Sequence, residues 1–164
     1  MPKKIIIVRH GETQYNVERR MQGWLDIPLN ENGKSQAKAS SMKLVGIQID
    51  AIYSSDLVRA HETAKHISEV TGKQINTTKA LRERDMGMFA GWRWESEPDA
   101  EKESLWTEFE SARDNEDVHW NRHRGESMHQ MNKRIQDFME QVHAKHKDQV
   151  VALVTLGGTI NALL

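Results

Sequence analysis

The stretch Ile5-Ile6-Ile7-Val8-Arg9-His10-Gly11-Glu12-Thr13 joins an apolar run to a charged turn. Four consecutive apolar, β-branched residues predict a short strand buried on both faces, the pattern of a parallel sheet. Arg9 and His10 then fall at the strand's carboxyl end, where open α/β sheets bind their ligands. A guanidinium grips phosphate oxygens through paired donors, and a neutral imidazole can attack phosphorus. Gly11 is expected to let the backbone approach a ligand closely. Taken alone, the Arg-His-Gly run fits a strand-end turn with a surface histidine equally well.

Working outward, the pattern predicts a helix from Asn30 or Glu31 to about Leu44 and a second strand over 49–54. Asp56 reads as the N-cap of a helix over 57–70, which Thr71-Gly72 stops. A third strand is expected over 74–80. Ser127-x-x-Gln130 is a capping box opening a helix to about His146. A last buried strand spans 150–155, then Gly157-Gly158 and the first turns of a helix over 159–164. Residues 13–30 read as loop, and 82–125 as irregular, aromatic and acidic. The alternation predicts an α/β sandwich with a mainly parallel sheet.

Chemistry is therefore sought in the loops after Val8, Ser54, Ala80 and Val154. Arg59, about one turn into its helix, either joins an anion pocket at the helix N-terminus or lies solvated. In Leu81-Arg82-Glu83-Arg84-Asp85-Met86-Gly87 a carboxyl group beside a phosphate pocket would protonate a leaving oxygen. The alternative there is an exposed charged turn.

Composition narrows the class. The chain has 164 residues, 23 Lys plus Arg against 24 Asp plus Glu, and a formal net charge of −1. That balance offers no broad surface for nucleic acid or an anionic membrane. The absence of cysteine excludes disulfides, zinc–thiolate sites and thiol catalysis. No signal peptide or membrane-spanning run is read, so the expected setting is cytoplasmic.

These features together resemble the histidine phosphatase superfamily, the phosphoglycerate-mutase-like proteins. The resemblance rests on Val8-Arg9-His10-Gly11-Glu12-Thr13 with Asn16, Gln22-Gly23, Asp26-x-Pro28-Leu29, and Asn30-x-x-Gly33-x-x-Gln36-Ala37. It continues in Tyr53-Ser54-Ser55-Asp56-Leu57-x-Arg59-Ala60, Thr63-Ala64, Leu81-Arg82-Glu83-x-x-x-Gly87-x-x-x-Gly91 and Gly125-Glu126-Ser127. It implies one domain over 1–164 with a three-layer α/β/α sandwich and a helical lid inserted around 92–124. It also implies roles. His10 would be the nucleophile, carrying a phosphohistidine. Arg9 and Arg59 would bind the phosphoryl group, and Glu83 would be the acid and then the base. Asn16, Gln22, Gly23 and Gly157 would line the substrate side. Neither metal nor cofactor is implied. A small phosphomonoester would be the substrate and inorganic phosphate a product. Arg84-Asp85-Met86-Gly87 stands where mutases tend to carry His-Tyr-Gly, which points to the phosphatase branch.

Two departures stand out. The family's second histidine follows the last parallel strand, and here Thr155-Leu156-Gly157-Gly158 puts leucine at that position. Three readings follow: a weakened phosphatase, a pseudophosphatase that binds a phospholigand or a protein partner, or an engineered or errant version of an active enzyme. His61 and His129 are weighed as substitutes, with a structural or surface role preferred for both. Family members also usually continue to a further edge strand, so marginal stability or self-association into a homo-oligomer is expected.

Residues 92–124 hold Trp92, Trp94, Trp106 and Trp120 and many carboxylates. The tryptophans are expected to pack this segment onto the domain, with direct substrate contact as the second reading. His119 and His123 have metal-clamp spacing on a helix but no third ligand, and a solvated helix face is preferred. The eight methionines are read as core gap-filling.

Overall fold

The structure, a computed structural model, describes residues 1–93 and 100–164. Four strands, β1 (Lys4–Arg9), β2 (Ala51–Ser55), β3 (Ile75–Thr78) and β4 (Val150–Thr155), form one sheet in the order β1-β4-β2-β3. All three pairings are parallel, with Val8 opposite Val154 and Ile52 opposite Ala152. β4 is central and buried on both faces, as an unbroken Val-Val-Ala-Leu-Val run dictates. β1 and β3 are its edges.

The helices are α1 (Gln14–Val17), α2 (Glu31–Met42), α3 (Val58–Thr71), α4 (Ala100–Asp114), α5 (Met128–Lys145) and α6 (Gly157–Leu163). Alternate strand residues face opposite ways. Ile52, Ala152 and Val154 pack with Leu57, Ala60, Ala64 and Ile67 of the α3 side. Ala51, Val151 and Leu153 pack with Phe138 and Val142 of α5. A three-layer α/β/α sandwich with a wholly parallel sheet results.

Local signals explain most boundaries. Asn30 caps α2 by accepting the Gly33 N–H at 2.7 Å, and Gly72, at φ +68°, closes α3 in the left-handed region. Ser127 and Gln130 form the expected capping box of α5. Other expectations need correction. Asp56 does not cap α3: its carboxylate takes two hydrogen bonds from Arg82, both at 2.7 Å. Asp26, across the chain, accepts the Val58 N–H at 2.7 Å instead. The supposed loop over 13–30 contains α1, and α4 lies within the supposedly irregular region.

Gly11 is also required by the packing of the chain itself. A β-carbon there would run into the Gly33 carbonyl, and one on Gly33 would run into Glu12. These two glycines let the start of α2 close onto the turn after β1, so Gly11 serves chain packing.

Around Phe89, buried completely, the rings of Trp92, Trp106, Phe109, Trp120 and His123 gather with centroids 5.3–6.5 Å away. Packing is thus the role of the three described tryptophans of this segment; Trp94 lies outside the described residues. His119 and His123 do not share a helix. His123 is fully buried, lying flat against Trp120 at 5.0 Å, so the solvated helix face is corrected. Among the described residues no group of three His, Asp or Glu could hold a metal ion.

Candidate active site

The carboxyl ends of β1, β2 and β4 open into one cavity of about 610 Å³. Arg9, His10, Asn16, Gln22, Gly23, Arg59, Glu83, Leu156 and Gly157 all line it. The residues to which the family resemblance gives site roles are therefore brought to one place.

His10 is held by the turn it begins. Its N–H donates to the Thr155 carbonyl at 3.0 Å, continuing the β1–β4 ladder. Its Nδ1 lies 2.6 Å from the Gly11 carbonyl. A carbonyl only accepts, so the ring proton sits on Nδ1 and Nε2 keeps its lone pair. Burial, with Arg59 and Arg9 nearby, lowers the His10 pKa to about 4 against the partial opposition of the Gly11 bond. The imidazole is neutral at pH 7 and fit to act as a nucleophile.

Arg59 is completely buried. Gly23, at φ +49°, turns its carbonyl to accept from Arg59 Nη2 at 2.8 Å, and the Leu25 carbonyl accepts from Nη1 at 2.7 Å. Nε is buried and makes no hydrogen bond in the protein. Burial brings the Arg59 pKa down to about 10, opposed by Glu83 and Asp26, so the group remains a cation at neutral pH. Arg9 lies alongside Gly157, where an added β-carbon would stand 3.5 Å from its guanidinium.

Glu83 faces this cationic set. Its Oε1 accepts the Arg84 N–H at 2.9 Å and its Oε2 accepts the Gly158 N–H at 2.8 Å. The Asn16 amide oxygen accepts the Thr13 N–H at 3.0 Å, which leaves its NH2 end as a donor available to a ligand. The Gln22 side-chain amide lies 2.9 Å from the Thr13 hydroxyl. With Arg20 and Arg84, four arginines and one carboxylate line the cavity. The arrangement suits an anion.

Leu156 is 1 % exposed. It packs in the cluster of Leu57, Ala60 and Val154 while forming part of the cavity wall. Neither His61 nor His129 lines the cavity; the His129 ring stands 4.4 Å from that of His119.

Some lining residues were not anticipated. Met21, Met86, Met128 and Met131 line the cavity; Met21, Met86 and Met131 are at the same time buried core residues, as gap-filling predicts. Phe109 is the aromatic of α4 that reaches the cavity. These positions carry no sequence signal beyond apolarity.

A profile of the Histidine phosphatase superfamily (branch 1) matches residues 5–164. The chain belongs to this superfamily. "Phosphoglycerate mutase-like protein 4" of Arabidopsis thaliana is 37% identical over 162 residues, covering 98% of this chain and 69% of that protein. "Metal-independent phosphoserine phosphatase" of the same plant is 36% identical, over 98% of this chain and 66% of its own length. This histidine phosphatase chain thus spans about two thirds of these relatives. Among solved structures, mycobacterial glucosyl-3-phosphoglycerate phosphatase in complex with VO3 superposes with a TM-score of 0.82 at 36% identity, over 97% of this chain and 78% of that one. YhfR of Bacillus stearothermophilus gives 0.85 at 30% identity, over 97% and 76%. No helix among the described residues is long and apolar enough to cross a membrane.

Proposed function

We propose that the chain hydrolyses a small phosphomonoester through a phosphohistidine on His10. The observation that carries this is the tautomer of His10: the Gly11 carbonyl fixes the proton on Nδ1, leaving a neutral Nε2 in a cavity that Arg9 and Arg59 also line.

In the proposed first step His10 Nε2 attacks phosphorus and the ester P–O bond breaks. Arg9 and the unpartnered Nε of Arg59 stabilise charge on the phosphoryl oxygens, as preorganised donors do. Glu83 protonates the departing alkoxide. In the second step it takes a proton from water, which attacks the phosphohistidine and releases inorganic phosphate. The phosphoserine and glucosyl-3-phosphoglycerate phosphatases among the relatives support a small phosphorylated metabolite as substrate. The mycobacterial glucosyl-3-phosphoglycerate phosphatase has also been solved with inorganic phosphate, in keeping with the proposed product.

Leu156 weakens this machinery. Loss of one transition-state donor costs about 10²–10³ in rate. It also favours a second reading, a phospholigand-binding module without turnover, because the leucine is buried as part of the apolar core.

Hydrolysis of p-nitrophenyl phosphate by three proteins decides. Activity in the unaltered chain that His10→Ala abolishes, and that Leu156→His raises by about 10²-fold, is the expected result. Activity found only in Leu156→His would establish the binding module.

A further inference from the structure

Gly125-Glu126-Ser127 is a sequence motif to which the proposed chemistry gives no task. Its glutamate holds Arg134 of α5, a residue outside the cavity. Arg134 Nε and Nη2 donate to the two Glu126 oxygens at 2.9 and 2.6 Å. Nη1 donates to the carbonyls of Ala80 at 2.7 Å, Arg82 at 3.1 Å and Lys79 at 3.3 Å, and Nη2 donates to that of Glu83 at 3.3 Å. All four carbonyls belong to the short segment ending at Glu83.

The other bonds to this segment complete a cradle. The Leu81 carbonyl accepts from the Thr155 hydroxyl and the Arg82 carbonyl from the Thr159 hydroxyl, both at 2.8 Å. The Glu83 carbonyl also accepts from the Trp24 indole at 2.8 Å. Every carbonyl from 79 to 83 thus receives a side-chain donor, and Arg134 serves four of the five. Glu126 clamps the following residues as well: its N–H donates to the Asp85 carbonyl at 2.9 Å and its carbonyl accepts from Arg84 Nε at 2.6 Å.

A carboxylate–guanidinium pair only 12 % and 19 % exposed costs desolvation energy, repaid only when the remaining donors find partners. Here they find the backbone that carries the acid. A general acid works only within hydrogen-bond reach of the leaving oxygen, and about 1 Å of misplacement can cost about 10²-fold.

We propose that Arg134, oriented by Glu126, is the positioning residue for Glu83. It fixes the 79–83 segment so that the carboxylate stays against Gly158 and facing the cavity. The inference rests on Glu83 being the acid of the proposed reaction.

The test compares two esters by kcat/KM, which reports events up to alcohol release. Glycerol 2-phosphate needs a proton on its alkoxide; p-nitrophenyl phosphate does not. Arg134→Lys should lower kcat/KM about 10²-fold for the former and less than about threefold for the latter. Glu83→Gln should show the same selectivity, and the double variant should add nothing further.

A second measurement needs no turnover. The Gly158 N–H donates to Glu83 Oε2, so its hydrogen exchange should quicken about tenfold in Arg134→Lys while the β4 amides keep their protection. Equal losses on both esters, or an unchanged Gly158 amide, would overturn the proposal. If the unaltered chain hydrolyses neither ester, the phosphatase reading fails by itself and the amide alone decides the positioning role. If Arg134→Lys does not fold, Glu126→Gln is read in the same two ways.

Discussion

A methyl group on Gly158 would overlap the Glu83 carboxylate, whereas one on Gly157 would meet only the Arg9 guanidinium at an ordinary 3.5 Å. The two adjacent glycines are therefore not equivalent. Neither has a positive φ, and alanine is favoured over glycine within a helix by about 1 kcal/mol. Gly158→Ala should keep or raise the melting temperature while displacing the acid. The expected loss on an alkyl phosphate is about 10²-fold in kcat/KM, the low end for removing a general acid. Vanadate affinity should hold, because Arg9, His10 and Arg59 are untouched. Gly157→Ala is the control, expected within about threefold of the parent on the same scale. Equal losses from both substitutions would show that α6 as a whole, not the Glu83 contact, is being disturbed.

At the scale of elements, α3 begins with a division of labour between two aspartates. Asp26 caps the helix and sits in the same loop whose Gly23 and Leu25 carbonyls hold Arg59. Loss of a cap costs about 1 kcal/mol, which for a domain of this size is about 2–4 °C in Tm. Asp26→Ala should show that fall together with weaker phosphate binding in a calorimeter, since the loop aligning Arg59 loosens with it. An unchanged Tm and an unchanged phosphate Kd would show that Asp26 neither stabilises α3 nor aligns Arg59. Helix α3 also shows what the sequence makes legible. Its existence, its Gly72 stop and the burial of its Ala60, Thr63 and Ala64 face follow from local periodicity. Its cap does not, because the residue beside the helix, Asp56, is drawn off by Arg82 and the replacement comes from a distant loop. The same contrast runs through the site. His10, Arg59 and Glu83 are legible because each follows a strand that can be read locally. The methionine wall, the Phe89 cluster around His123 and the Arg134 cradle are through-space associations between segments that have no local mark.

For the molecule as a whole, two of the buried histidines, His10 and His123, have lowered pKa values. His10 has its pKa brought to about 4 by burial, with Arg59 and Arg9 adding to the fall. His123 is lowered by burial, opposed by its bond to the Asp85 carbonyl and assisted by Arg84. A histidine exposed on unfolding titrates near 6.5. The unfolded chain therefore binds more protons than the folded one as pH falls below that value. Stability is fully present above about pH 6.5 and is lost as pH falls toward and through about 4. For His10 the loss has an upper bound of about 3 kcal/mol, and His123 acts in the same direction. Asp56, held low by its Arg82 bond, adds to the loss only at the acid end, where carboxylates titrate. Urea unfolding between pH 7 and pH 4 should show the midpoint falling steadily. In the window from 6.5 to 4, His10→Gln should flatten the slope by about one proton. Its stability at pH 7 should change far less than at pH 4, where the variant should become the more stable protein. A slope identical in the two proteins would mean that His10 takes up its proton alike in the folded and unfolded chain, and the lowered pKa of the buried imidazole would be overturned.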